Sequence, residues 1–378
     1  MIPKGSRCAR WRAWRLASHA PALLVAALAL VGCNLSGGTD AAAADKGPAR
    51  LVVLPDGRRI NLACSGRGSP TVLLEPGFGA ASSAWSKVQP AIARTTRVCA
   101  YDRAGAGYSD PGPLPRDGAA IARDLDQALA KANVPGPFIV VGHSAGGLYG
   151  RLFAARHAKE VAGLVLLDPT VERRAPQPSG DGLDGLRQRV RRCLAAAEAN
   201  PQPPVTDAQW SGCFPANASA HRLETARRPA TWASQLSELD SMFGRTSEQA
   251  MMTVPILKSV PMYVITASDS ANGAPTYGFD PPRSVLELQH ERLAARSDFG
   301  SQRTVLSSHM VMLDRPEVVI AAVQEMIKAQ RAGRPPEPLP PSETQLGPAD
   351  EPFRLPGAEP EPASPSPGLG LEGPLRGR

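Results

Sequence analysis

The sequence predicts an α/β fold in which a mostly parallel central sheet carries helices on both faces. Short apolar strands bounded by turn residues alternate with segments of helical periodicity. The apolar run 138–141 leads directly into Gly142-His143-Ser144-Ala145-Gly146, and a helical segment follows. About ninety residues, 172–260, then separate two strands, which is too long for a structureless loop in a compact domain. We therefore expect a helical cap inserted after the sixth strand.

The elements follow in a regular order along the chain. Residues 51–54 and 58–64 flank Pro55-Asp56-Gly57 and predict an opening hairpin. Further strands are predicted at 71–75, 97–101, 138–141, 163–167, 261–266 and 303–306. Helices are predicted at 81–93, 117–132, 145–157 and 316–330, and in the cap around Leu186-Val190-Leu194 and Leu236-Leu239-Phe243. The core thus comprises residues 50–171 and 261–330.

The N-terminus predicts export. Five basic residues lie before position 16, and an apolar run too short to span a bilayer comfortably follows at 21–31. Leu30-Val31-Gly32-Cys33 is typical of a bacterial lipobox, so residues 1–32 are interpreted as a lipoprotein signal peptide and Cys33 as the lipidation site. An ordinary signal peptide or a signal anchor is the alternative. Asn34 follows the cysteine in place of an inner-membrane retention aspartate, which favours a lipid-anchored outer-membrane or surface location in the cell envelope.

The charge balance gives no indication of a nucleic-acid partner. The formal net charge of +7 falls to +2 when the five basic residues of the signal segment are removed. No basic helix interleaved with aromatic side chains is evident, and aromatic residues make up only 5% of the chain. The expected partners are a small acyl substrate and the membrane that holds the anchor.

Four cysteines, Cys64, Cys99, Cys193 and Cys213, are expected in the exported enzyme. They allow three pairings in an oxidising compartment. The favoured pairs are Cys64 with Cys99, at predicted strands of the core, and Cys193 with Cys213, both within the cap. Four buried free thiols are the alternative, and no spacing matches a metal site.

Two segments outside the core and cap predict chain without stable structure. Residues 33–49, rich in glycine and alanine, predict a flexible tether. Residues 331–378 hold 13 of the 39 prolines of the chain and predict a disordered tail, because such a composition cannot bury enough apolar surface to offset its chain entropy.

Ser144 is the candidate nucleophile. A lone Gly-x-Ser-x-Gly match is weak evidence in a chain with 35 glycines. Its position between a strand and a helix is more specific, because a tight, strained turn there leaves the serine hydroxyl exposed at the end of the sheet. A merely structural turn is the alternative.

His309 is the candidate base, chosen by elimination among the six histidines of the chain. It is the one that lies on a loop after a late strand. The acid is left open between two aspartates at strand ends, Asp269 and Asp168, with Asp269 preferred. Either one could hold the imidazole in its productive tautomer.

The oxyanion of an acyl-transfer reaction needs two backbone donors. One is expected from Ala145, which follows the nucleophile. The other is expected from Phe78 in the glycine-rich run Glu75-Pro76-Gly77-Phe78-Gly79, which follows a strand. A plain strand-to-helix turn is the alternative for this run.

Four motifs, taken in order, resemble the α/β-hydrolase family in its branch related to esterases and proline iminopeptidases. They are the run 97–110 with Tyr101-Asp102-Arg103-Ala104-Gly105-Ala106-Gly107-Tyr108-Ser109, the serine turn, Leu166-Leu167-Asp168-Pro169, and the run 308–316 around His309. The resemblance spans residues 50 to 330. It implies a Ser-His-acid triad, a helical cap and no metal or organic cofactor. The chain departs from the family in having Pro76-Gly77 where His-Gly is commoner, and in lacking a Gly-Asp-x-Asp run near Asp269.

The expected activity is hydrolysis of a carboxylic ester through an acyl-enzyme. Relatives that open epoxides or remove halide use an aspartate nucleophile, and Ser144 argues against both reactions because an alkyl ether on serine would not hydrolyse. An amidase or aminopeptidase is the alternative among enzymes. A non-catalytic surface lipoprotein that binds a partner is the alternative of another class.

Overall fold

The structure is a computed structural model that describes residues 47–173, 183–216, 218–274, 276–277 and 283–343. The predicted signal peptide, Cys33, most of the predicted tether and the chain from residue 344 onward lie outside the described residues. None of the described helices combines the length and the apolar character needed to cross a membrane.

The centre of the described chain is a mostly parallel sheet. The strands are β1 (Leu51–Val53), β2 (Arg59–Ser65), β3 (Thr71–Glu75), β4 (Val98–Tyr101), β5 (Phe138–His143), β6 (Val161–Leu167), β7 (Met262–Ala267), β8 (Thr276–Tyr277), β9 (Arg283–Ser284) and β10 (Gly300–Val305). Eight of them form one sheet in the order β1-β2-β4-β3-β5-β6-β7-β10, and β8 pairs with β9. The β1–β2 and β2–β4 pairs are antiparallel, and the other pairs in the large sheet are parallel.

Helices connect the parallel strands. They are α1 (Gln89–Ala93), α2 (Gly118–Ala132), α3 (Gly146–Arg156), α4 (Asp184–Glu198), α5 (Ala220–Ala226), α6 (Pro229–Ser241), α7 (Ser247–Met252), α8 (Ser268–Asn272), α9 (Val285–Ala294), α10 (Val311–Asp314) and α11 (Pro316–Ala332). Asp117 begins α2 by accepting a hydrogen bond from the Ala120 N–H, and Ser284 begins α9 with a capping box to Glu287.

The core lies on both faces of the sheet. Every residue of β3 and β5 is buried. Along β3, Leu73 packs with the side chains of α2 and α3, whereas Val72 and Leu74 pack on the other face with those of α1 and α11. Burial on both faces explains why the parallel strands are continuous apolar runs in the sequence.

The cap helices α4 to α7 lie between β6 and β7 in the chain, where the sequence predicts an insertion. They pack on α3 through an apolar cluster that includes Leu148 and Tyr149 of α3 with Val190, Trp232 and Leu239 of the cap. Because α3 begins at the serine turn, this contact places the cap beside the candidate site.

Both favoured disulfide pairings are present. Cys64 on β2 bonds to Cys99 on β4, its direct neighbour in the register of the two strands. Cys193 on α4 bonds to Cys213, after a short 3₁₀ turn in the same insertion. One bond therefore joins two strands of the core, and the other joins two segments of the cap.

The segment 81–93, predicted as one helix, forms two short pieces. A 3₁₀ turn at Ser82–Trp85 precedes α1, which has Pro90 within its first turn. Proline has no N–H to donate and clashes with the preceding helical carbonyl, so it is accommodated at the start of a new helix and not inside a continuous one.

The first part of the predicted disordered tail is ordered. Helix α11 continues to Ala332, and residues 333–343 then run beside β10. Ser342 Oγ accepts a hydrogen bond of 2.9 Å from the Thr304 N–H, and the Glu343 N–H donates one of 2.8 Å to the Thr304 carbonyl. The Glu343 carboxylate also forms ion pairs with Arg303 and Arg315. Composition favours disorder here, but specific contacts to the edge strand offset the entropy of ordering the chain.

Candidate active site

Ser144 lies on the turn between β5 and α3, in the left-handed region with φ = 53°. That conformation is costly for a residue with a side chain, and it recurs where surrounding structure over-determines a functional residue. The Ser144 N–H donates to the Leu167 carbonyl at 3.0 Å, and its carbonyl accepts from the Thr170 N–H at 3.0 Å. The nucleophile candidate is thereby tied to both sides of Asp168.

The glycines of the turn are required by close backbone packing. A Cβ on Gly142 would lie 2.6 Å from the Gly146 carbonyl oxygen, and one on Gly146 would lie 2.4 Å from the Glu75 carbonyl oxygen. Real Cβ atoms do not approach this closely. The two glycines therefore let the serine turn press against the end of β3, where the predicted oxyanion loop begins.

Asp168, and not the preferred Asp269, is the partner of His309. Asp168 Oδ2 lies 2.6 Å from His309 Nδ1. Asp168 directly follows β6, adopts φ = 42°, and accepts a second hydrogen bond of 3.1 Å from the Ala267 N–H through Oδ1. Its side chain is almost fully buried, whereas that of His309 is half exposed. The arrangement leaves the second imidazole nitrogen, Nε2, free for proton transfer.

The preference for Asp269 is corrected by where β7 ends. That strand stops at Ala267, and α8 begins at once, which carries the Asp269 side chain to the surface. The Asp269 N–H donates to the Ser307 carbonyl at 3.1 Å, and its carboxylate accepts only a long contact of 3.4 Å from Ser268 Oγ among the described residues. Asp269 is thus part of a helix start and not of a triad.

The surroundings of Asp168 keep it ionised. Burial alone would raise the pKa of this carboxyl group, but hydrogen bonds from His309, Ser270 and the Ala267 amide outweigh it and hold the pKa below its usual value. A carboxylate is the form that can orient the imidazole and stabilise an imidazolium.

His290 fixes the chain just after Asp168. It is fully buried, with Nε2 at 2.9 Å from the Pro169 carbonyl and Nδ1 at 2.9 Å from Thr266 Oγ1. Because the carbonyl can only accept, Nε2 carries the proton and Nδ1 accepts from the threonine hydroxyl. Burial lowers the pKa of His290, which favours this neutral form.

His143, which elimination removed as a base, supports the base. Its Nε2–H donates to the His309 carbonyl at 2.9 Å, and the two rings lie 4.7 Å apart between centroids. Its Nδ1 is buried and unpartnered among the described residues. Burial, together with repulsion from His309, lowers the pKa of His143 to about 4. The neutral ring therefore holds the His309 loop against the serine turn at neutral pH.

The depressed pKa of His143 predicts a pH-dependent contribution to stability. Its pKa falls from 6.5 to about 4 on folding, so the unfolded chain binds more protons at this site between those values. The contribution is complete above pH 6.5 and is lost as the pH falls toward 4, by on the order of 3 kcal/mol at most.

His143→Gln tests this prediction, because glutamine keeps an N–H donor and does not titrate. Urea unfolding of both proteins should show the free-energy advantage of the wild type shrinking as the pH is lowered through this window. His290 and His309 titrate in both proteins and cancel in the difference. A difference that stays constant with pH would contradict the assignment.

The two expected oxyanion donors are available. Among the described residues, neither the Phe78 N–H nor the Ala145 N–H has a hydrogen-bond acceptor in the protein. Phe78 directly follows Gly77, where a Cβ would lie 2.7 Å from His143 Nδ1 and 3.2 Å from Ser144 Cβ. The glycine lets the loop approach the serine closely enough for its next N–H to face the same region as that of Ala145.

The described residues at the site are suited to nucleophilic and acid–base chemistry. Within the described ranges, no group of three or more His, Cys, Asp or Glu side chains is arranged to hold a metal ion. The Ser144 hydroxyl has no hydrogen-bond partner among the described residues; in unliganded enzymes the bond from nucleophile to base often tightens only when substrate binds.

Comparisons with known proteins agree with this architecture. Residues 70–242 match the family model of the alpha/beta hydrolase fold. An AB hydrolase superfamily protein of Gibberella zeae is 24% identical over 294 residues, which cover 69% of this chain and 87% of the relative. An uncharacterized protein of Schizosaccharomyces pombe is 44% identical over 81 residues, 21% of this chain. The chain spans only 15% of that protein's length, and 20% of an uncharacterized vacuolar membrane protein of Saccharomyces cerevisiae.

Solved structures of hydrolases superimpose over three quarters of the chain. An enol-lactonase from Burkholderia xenovorans has a TM-score of 0.53 at 19% identity, covering 75% of this chain and all of the lactonase chain. An esterase from Thermogutta terrifontis has a TM-score of 0.53 at 20% identity, covering 75% and 98%. At these identities the likeness establishes the fold. The chain has the α/β-hydrolase fold, with the helical cap between β6 and β7 and the candidate site at the carboxyl ends of the strands.

Proposed function

We propose that this protein is a serine hydrolase that cleaves carboxylic esters through an acyl-enzyme. The observation that carries the proposal is the strained Ser144 turn, tied by its backbone to both sides of an Asp168 that is hydrogen-bonded to His309. Nucleophile, acid and histidine occur along the chain in the order that this fold uses.

The first half of the reaction forms the acyl-enzyme. Ser144 Oγ attacks the ester carbonyl carbon while His309 Nε2 takes the hydroxyl proton, and Asp168 stabilises the imidazolium. The carbonyl oxygen becomes an oxyanion that accepts hydrogen bonds from the Phe78 and Ala145 N–H groups. The tetrahedral intermediate then breaks its bond to the alcohol oxygen, which receives the proton from His309.

The second half releases the acid. Water loses a proton to His309 Nε2 and attacks the acyl carbon, giving a second oxyanion in the same hole. Collapse breaks the bond to Ser144 Oγ, which recovers the proton, and the carboxylic acid leaves. Every proton that His309 accepts is returned within the cycle, so no cofactor is needed.

The substrate class is tested with two series of chromogenic compounds. The purified protein, with the N-terminal segment replaced, is assayed on nitrophenyl esters of short and medium acyl chains and on aminoacyl anilides. Esters come first because two structures of similar fold are named as an enol-lactonase and an esterase. Turnover of esters is expected. Activity on anilides alone would favour an amidase or aminopeptidase, and activity on neither series would favour the non-catalytic binding role.

We also propose that Cys33 carries a lipid that anchors the enzyme in the cell envelope. The support is the sequence around residues 30–33. Cys33→Ser should release the protein from the membrane fraction, because a lipidated cysteine carries the acyl chains that hold it there. Cys8→Ser, which lies in the predicted signal peptide, is the matched control and should leave the protein membrane-bound. Unchanged membrane retention of Cys33→Ser would count against lipidation.

A further inference from the structure

A buried arginine connects the oxyanion loop to the cap. Arg103 follows β4, and its side chain is only 4% exposed. Its Nη1 donates to Glu75 Oε1 at 3.0 Å and to the Pro76 carbonyl at 2.5 Å. Its Nη2 donates to the Gly77 carbonyl at 2.7 Å and to Glu238 Oε1 at 3.0 Å. The two terminal nitrogens thus bind two carbonyls of the loop and one carboxylate from each side.

The bond to the Gly77 carbonyl determines where the Phe78 N–H points. That carbonyl and that N–H belong to one peptide unit, which is planar and has its C=O and N–H in opposite directions. An arginine that holds the oxygen on one side therefore directs the N–H to the other side. Arg103 Nη2 fixes the expected oxyanion donor without touching the substrate.

Glu238 brings the cap into this arrangement. It lies on α6, is almost fully buried, and accepts from Arg103 and from the Tyr149 hydroxyl at 3.1 Å. Tyr149 is on α3, the helix that begins at the serine turn, and its ring lies 5.2 Å from Arg103 Cζ. One carboxylate of the cap thereby contacts both the arginine that orients the oxyanion loop and the nucleophile helix.

Charge balance makes Glu238 important to Arg103. A buried guanidinium without a partner is costly, so its position follows its carboxylates. Burial raises the pKa of Glu75, the other partner, to about 7, against the attraction of Arg103 and the hydrogen bond from Tyr101. A cap that moved away would therefore remove a main counter-charge of the arginine.

We infer that Arg103 is a positioning residue for the oxyanion loop and that Glu238 couples the position of the cap to it. The inference rests on the proposed acyl-transfer mechanism. It predicts that transition-state stabilisation depends on a cap residue that contacts neither Ser144 nor His309 among the described residues.

Arg103→Lys and Glu238→Gln test the inference. Lysine has one nitrogen and cannot bind both loop carbonyls and both carboxylates; glutamine keeps an acceptor oxygen but loses the charge. Active sites are titrated with a fluorophosphonate, and kcat per titrated site, KM for a nitrophenyl ester and the affinity for a trifluoromethyl ketone are measured. We expect kcat and ketone affinity to fall together, about a hundredfold for Arg103→Lys and about tenfold for Glu238→Gln, with KM changing less than about threefold.

Asp240→Asn is the matched control. Asp240 lies on the same helix and pairs with Arg187 at a half-exposed position. It should leave kcat per site within about twofold of the wild type. A purely structural role for Arg103 would lower the number of titrated sites but not kcat per site.

The outcomes separate the two proposals. An inactive, unlabelled wild type would overturn the proposed function itself. An active wild type whose Arg103→Lys and Glu238→Gln variants keep full kcat per site and full ketone affinity would overturn only the coupling. If Arg103→Lys fails to fold, Glu238→Gln decides by the same two quantities.

Discussion

Ser144→Ala is expected to abolish ester hydrolysis, with kcat falling by about 10⁴ to 10⁶. The alanine removes the atom that forms the acyl-enzyme, and no other described serine or cysteine lies beside the His309–Asp168 pair in the left-handed turn. Residual turnover would come from the oxyanion donors acting on bound water. The variant should also lose labelling by a fluorophosphonate.

The control for this prediction is Ser86→Ala, at an exposed position in the segment between the two short helices 82–85 and 89–93. It should keep both activity and labelling. Thermal unfolding of Ser144→Ala should match or exceed that of the wild type, because alanine is no worse than serine at a strained turn whose hydroxyl has no partner. Labelling that persists in Ser144→Ala would place the nucleophile elsewhere.

Asp168→Asn is expected to lower kcat by about 10³ to 10⁴. An amide can occupy the same space, but it presents an N–H or a neutral oxygen to His309 Nδ1, so it favours the wrong tautomer and cannot stabilise the imidazolium. The hydrogen bond to the Ala267 N–H can be kept by the amide oxygen, which preserves the fold.

Asp269→Asn is the matched control, one strand further along the sheet. It should change kcat by less than about threefold, because its carboxylate is exposed and pairs with no histidine in the described chain. Both variants are measured on the same ester, with active sites titrated. A loss in Asp269→Asn as large as that in Asp168→Asn would restore the preference for Asp269.

The nucleophile turn and the base were predictable because both rest on local patterns. Strand 138–141, two glycines and a following helix define the turn around Ser144, and the chain offers one histidine on a late loop. The acid was not predictable, because two aspartates follow neighbouring parallel strands. Their difference lies in whether the chain turns outward: it does so after β7, where α8 starts, and not after β6, where Asp168 is held by the Ala267 N–H.

The role of Arg103 was also beyond local pattern. The motif that contains it was recognised as a resemblance, but its partners come from three distant segments: residues 75–77 before it, and Tyr149 and Glu238 after it. A sequence signal was present in the form of an acidic residue in the middle of an otherwise apolar helical pattern at 236–243. Only the packing of the cap on α3 shows which cation it meets.

The segment that runs beside β10 has a consequence for how copies of this protein meet. An outermost strand normally offers a row of unsatisfied amides and carbonyls on which another chain can assemble. Here Thr304 is satisfied through both its N–H and its carbonyl, and the Leu306 N–H donates to the Glu343 carboxylate. The covering segment is rich in proline, which has no N–H with which to extend the sheet further. The enzyme thus protects this border of its sheet against intermolecular strand pairing, which matters for a molecule concentrated on a surface.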